Sequence, residues 1–163
     1  MSASRTSDTV SFPRRLDSLS IPGELRDSIG ATIAASHPHE AGGYLACTRR
    51  GDRLYATDHV PLDNVATEPR RRFVATTSDR VPPTPRVFYH SHTSPSTLSG
   101  LTGVDRRNIT DSLALVVFAP HGTPYSYRLF RLGLFSWQEM PVTTADGDGS
   151  GDPDEPPRLP RLV

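Results

Sequence analysis

Two histidines, His90 and His92, stand two residues apart behind the short β-branched and aromatic run Val87-Phe88. Residues two apart on a strand point to the same face, so both imidazoles can serve one divalent ion as neighbouring ligands. Asp105, beyond a loop rich in Ser, Thr and Gly, offers a third ligand. Three protein ligands with one open position describe a catalytic zinc site rather than a closed structural one. Taken alone, a His-x-His pair is equally at home as two solvent-facing or hydrogen-bonded histidines with no metal.

Glu40 adds an acid to the set. It lies in Pro38-His39-Glu40-Ala41-Gly42-Gly43-Tyr44-Leu45, after a helix-like stretch and where an apolar strand begins. The order Pro-x-Glu-x-x-Gly-x-Leu, then His-x-His, then a hydroxyl residue three positions before an Asp, resembles the JAMM (MPN+) family of zinc isopeptidases. The likeness spans about residues 19–134. It implies that His90, His92 and Asp105 hold Zn2+ and that Glu40 is the general base. Where the family usually carries Ser, this chain has Thr102; where a Pro commonly follows the second His, it has Thr93. The family's helix before the His-x-His strand has no counterpart, because the stretch Thr76 to Pro85 carries Pro82, Pro83 and Pro85, which disfavour a helix.

In such a site Glu40 takes the proton of the attacking water and passes it to the leaving amine. The Thr102 hydroxyl donates to the oxyanion of the tetrahedral intermediate. The resemblance also supplies the substrate class: the amide after the C-terminal Gly-Gly of a ubiquitin-like protein or, in a compact bacterial branch that looks most like this chain, of a sulfur-carrier protein. An extended Gly-Gly tail suits strand addition and a narrow channel. Two other classes remain open, a zinc hydrolase of small amides or peptides and a metal-free binding module of the same family.

Composition narrows the setting. At 163 residues the chain suits one domain, and 18 basic residues against 18 acidic ones leave no global field toward nucleic acid or membrane. A single cysteine, Cys47, excludes an intramolecular disulfide and a Cys-based zinc site. The N-terminal stretch has no apolar core of the secretory kind, and no run reaches the length of a membrane span, so the expected place is the cytoplasm.

The elements that must position these groups follow from periodicity. Leu25, Ile29 and Ile33 repeat every four residues behind Pro22 and Glu24, which predicts a helix with one buried stripe, ending before Pro38. Tyr44 to Thr48 and Arg53 to Thr57 read as a hairpin, His59 to Leu62 as a third extended piece, and Phe73 to Ala75 as a short strand. Between them Arg70-Arg71-Arg72 reads as a solvated run or, alternatively, as a surface for an acidic partner. Val104 to Ser112 suits a short helix with Asp105 in its first turn; Leu113 to Ala119 suits a strand buried on both faces, paired with Tyr125 to Leu132. The fold class expected is an α+β (α/β) sandwich, cytidine-deaminase-like, with one mixed, mainly antiparallel sheet flanked by helices. Residues 1–18 read as a mobile lead-in, 19–140 as the metalloprotease domain and 141–163 as a disordered acidic tail rich in Pro and Gly.

Overall fold

The computed structural model describes residues 15–144. Its strands are β1 (Ser18–Ser20), β2 (Gly42–Arg50), β3 (Arg53–Leu62), β4 (Arg86–His92), β5 (Leu113–Phe118), β6 (Ser126–Leu132), β7 (Trp137–Met140) and β8 (Val142–Thr143); its helices are α1 (Gly23–Ser36) and α2 (Gly103–Asn108). All eight strands belong to one sheet of order β7-β6-β5-β4-β2-β3-β1-β8. The β1–β3, β1–β8 and β4–β5 pairs are parallel, and the other four are antiparallel.

This architecture corrects the expected α+β sandwich. Among the described residues the regular structure is mostly sheet, curled into a nearly closed barrel, and the two short helices form no flanking layers. The long β2–β3 hairpin is one cause. The pieces expected at Arg53 to Thr57 and His59 to Leu62 are one continuous strand, and a register shift between Ala46 and Cys47 bends the pair, as bulges do. The other cause is that β1 and β8 pair in parallel beyond β3 and bring β8 back into contact with β6. The stretch expected at Phe73 to Ala75 makes only a single bridge, Asn64 to Ala75.

Helix α1 fills the inside of the curl. Ile29 and Ile33 are wholly buried among Leu19, Leu45, Leu54, Val87, Tyr89, Leu115 and Leu129, and Leu25 packs at the margin. Each such aliphatic side chain contributes about 2 kcal/mol of burial. The opposite face of the sheet carries a smaller cluster, Leu101, Ala114, Val116 and Phe130, over which the segment leading into α2 lies. Strand β5 is therefore apolar on both faces because both are covered. Leu16 and Val142 are also buried, so the packed unit takes in the last residues assigned to the lead-in and the first assigned to the tail. The remainder of those two stretches lies outside the described residues. Among the described residues no helix is long and apolar enough to cross a membrane.

Candidate metal centre

Strand β4 divides its side chains between two environments. Val87 and Tyr89 enter the α1 core, while Phe88, His90 and His92 fall on the other face by the period-two alternation of a strand. His90 is paired with Gly42 of β2 and Val116 of β5, so it sits in the middle of the sheet, not at an edge. The Phe88 ring stacks on the His90 ring at 5.7 Å between centroids. Position 42 must be glycine: a Cβ there would lie 2.6 Å from the Phe73 ring and 2.7 Å from the Tyr89 carbonyl oxygen.

Asp105 reaches the histidines from α2. Thr102 is the N-cap of that helix, and its hydroxyl accepts the Asp105 backbone N–H at 3.1 Å. The Asp105 carboxylate in turn accepts the Thr102 backbone N–H at 3.0 Å, which completes a capping box. Thr-x-x-Asp is thus a local folding signal as well as a chemical one.

Three ligand atoms converge. His90 Nε2 and His92 Nε2 are 2.9 Å apart, Asp105 Oδ1 is 3.3 Å from the former and Asp105 Oδ2 is 3.1 Å from the latter. Ligands about 2.0–2.1 Å from a tetrahedral zinc are separated by roughly 3.3 Å, close to these spacings. Tautomers fit as well. His92 Nδ1 lies 2.6 Å from the Leu98 carbonyl oxygen, which can only accept, so Nδ1 carries a proton, and in the neutral ring the Nε2 lone pair is the one available to ligate. His90 Nδ1 is buried with no protein partner, so nothing on that side dictates its tautomer. The donor set, two imidazoles and a carboxylate, suits zinc.

Glu40 precedes β2. Ser91 N–H donates to the Ala41 carbonyl and Ala41 N–H to Ser91 Oγ, both at 2.8 Å, so the pairing that joins Gly42 to His90 continues outward and sets Glu40 beside His92. Glu40 is 5% exposed. Burial pushes its pKa up to about 8, with His92 lowering it and Asp105 adding to the rise. For His90, burial outweighs the Asp105 carboxylate and favours the neutral ring. For His92, burial opposes protonation but is overcome by its hydrogen bonds to Asp105 and to Leu98, and its pKa rises. Burial works to raise the Asp105 pKa too, yet the two histidines hold it well below the usual carboxylate range, so Asp105 is the anion of the cluster.

The chain therefore brings His90, His92 and Asp105 to one point, with Glu40 beside them and Thr102 behind Asp105. Four supporting groups escaped the sequence reading: Asn64, Phe88, Ser91 and the Leu98 carbonyl. Ser91 had a signal, since it lies between the histidines with its backbone facing a neighbouring strand. Asn64 had none, as one polar residue in a polar stretch.

No protein-family model and no curated protein matches the sequence. Solved structures do. A Desulfitobacterium hafniense protein known from its solution structure superposes with a TM-score of 0.57 at 16% identity, over 78% of this chain and 93% of that one. A solution structure of a Salinibacter ruber protein gives 0.53 at 18% identity, over 79% and 93%. At these identities the likeness is one of fold alone.

Proposed function

We propose that this chain is a zinc-dependent isopeptidase or peptidase of the JAMM type, hydrolysing the amide after the C-terminal Gly-Gly of a ubiquitin-like or sulfur-carrier protein in the cytoplasm. The observation that carries the proposal is the convergence of His90 Nε2, His92 Nε2 and the Asp105 carboxylate within 2.9–3.3 Å, with a buried carboxyl group alongside. The substrate class rests on the resemblance of the motifs.

His90, His92 and Asp105 would hold the metal, which when bound supplies Lewis acidity for activating water and polarising a carbonyl. Glu40 does the proton transfer. Burial holds the metal-free Glu40 in its protonated form toward pH 8. With a cation held by His90, His92 and Asp105 that pKa would be drawn down, freeing a strongly basic carboxylate to take a proton from water and deliver it to the departing amine. The Thr102 hydroxyl oxygen is occupied as an acceptor by the Asp105 N–H, which leaves its O–H free to donate to the oxyanion of the tetrahedral intermediate. Leu98 and the Asp105 carboxylate orient His92 from two sides.

Purified protein should contain about one equivalent of zinc and cleave a fusion joined through the Gly-Gly of a ubiquitin-like protein. Glu40→Gln should keep the metal and lose nearly all turnover, whereas His92→Ala should lose both. Full activity in Glu40→Gln would remove the mechanism, and loss of its zinc would make Glu40 a ligand.

A further inference from the structure

The run Arg70-Arg71-Arg72 is exposed and close to the candidate centre, yet it is not a loose loop. The Asn64 side-chain amide donates to the carbonyls of Glu40 at 2.9 Å and Arg72 at 2.8 Å, with Pro69 also in reach at 3.3 Å. Its Oδ1 accepts the N–H groups of Ala66 and Val74. The Glu40 N–H donates to the Pro69 carbonyl at 2.7 Å, and the Thr93 hydroxyl reaches both the Pro38 and the Arg70 carbonyls. Phe73, directly after the run, packs over Gly42 and Phe88. The backbone of the Arg run is thus tied to the residue proposed as the base and to the residue after His92. A run needed only for solubility requires no such attachment.

The guanidiniums themselves are uncommitted. Among the described residues none of Arg70, Arg71 and Arg72 is ion-paired, and neither are Arg106 and Arg107, which directly follow Asp105. Arg86 and Arg128, by contrast, are matched to Asp111 and Glu139. Cations on a fixed backbone and without counter-charges supply complementarity to an anionic surface more than they supply fold stability.

We propose that Arg70, Arg71 and Arg72, clamped by Asn64 beside Glu40, form a docking rim for an acidic protein segment next to the bond to be cleaved. This rests on the reading of the site as a hydrolase of protein tails and adds the sign of charge that the tail or its neighbouring surface carries. Nucleic acid is the less suited occupant, because the charge is local in a chain whose basic and acidic residues balance.

The test measures binding apart from cleavage, using Glu40→Gln protein and a short fluorescent peptide, rich in glutamate and ending in Gly-Gly, beside its glutamine counterpart. The glutamate peptide should bind about tenfold more tightly at low salt, and the preference should fade as salt is raised. Replacing all three arginines by Gln should abolish the preference with zinc content and melting temperature unchanged; replacing them by Lys should keep most of it. Asn64→Ala should weaken it by releasing the run while leaving every charge in place. Equal binding of the two peptides would overturn the proposal, as would tighter binding of an RNA oligonucleotide. So would a marked gain in peptide affinity on neutralising Asp146, Asp148, Asp152, Asp154 and Glu155, which would make the chain's own acidic stretch the occupant. An inactive enzyme that still selects the glutamate peptide would remove the hydrolase and keep the rim; an active one blind to peptide charge would do the reverse.

Discussion

Thr102 and Asp105 hold each other through two reciprocal hydrogen bonds, Asp105 N–H to Thr102 Oγ1 at 3.1 Å and Thr102 N–H to Asp105 Oδ2 at 3.0 Å. The same Oδ2 lies 3.1 Å from His92 Nε2, so the cap of α2 aims a candidate ligand. Thr102→Val keeps the shape and loses the acceptor. Its zinc affinity should fall about 10–100-fold, as for other losses of groups that orient ligands, with about 1 kcal/mol of stability lost from the cap. Thr102→Ser should stay within a few-fold of the parent. Unchanged zinc affinity in the Val variant, measured by competition with a chelator, would remove this role.

Glu40 should make the metal-free protein sensitive to pH. Its pKa is raised from 4.5 to about 8 on folding, so between those values the unfolded chain gives up the proton while the folded chain keeps it. Fewer protons bound in the unfolded state means that stability falls as pH rises. Glu40→Gln removes that loss. Metal-free parent and variant should therefore melt together near pH 4 and diverge toward pH 8, the variant melting higher. Parallel melting curves across the range would show that the carboxyl group ionises as freely folded as unfolded.

Gly42→Ala should damage both fold and centre. The added methyl meets a backbone carbonyl at 2.7 Å as well as the Phe73 ring, and the carbonyl cannot rotate away. A cost of about 1–3 kcal/mol is expected, with weaker zinc binding because β2 and β4 must separate between Glu40 and His90. Gly103→Ala meets nothing nearer than the Arg107 guanidinium at 3.7 Å and should leave melting almost unchanged. Equal melting temperatures for the two variants would mean that the sheet yields at position 42.

The parts of the molecule with a strong local pattern were legible beforehand. The Leu25, Ile29, Ile33 stripe marked α1, the apolar run from Leu113 marked β5, and His90, His92 and Asp105 come together in space. The barrel was not legible, because the strands that close it are too short to show alternation. β1 has three residues and β8 two, and their pairing joins Leu19 to Val142 across most of the chain. Asn64 was hidden for a related reason. Its hydrogen bonds go to backbone carbonyls and N–H groups, which nearly every residue possesses, so no partner residue type betrays them.

Alternation along β4 makes the core and the candidate centre depend on one count. Val87 and Tyr89 belong to the α1 side, His90 and His92 to the other. Deleting one residue between Arg86 and His90 would exchange the two sets, driving imidazoles into the α1 core and turning Ser91 and Thr93 toward Asp105. Replacing one ligand leaves its neighbours on their own faces of the sheet, but the spacing of the ligands cannot drift. An insertion or deletion in β4 therefore damages core and centre together, whereas a substitution at His90 or His92 leaves the count intact.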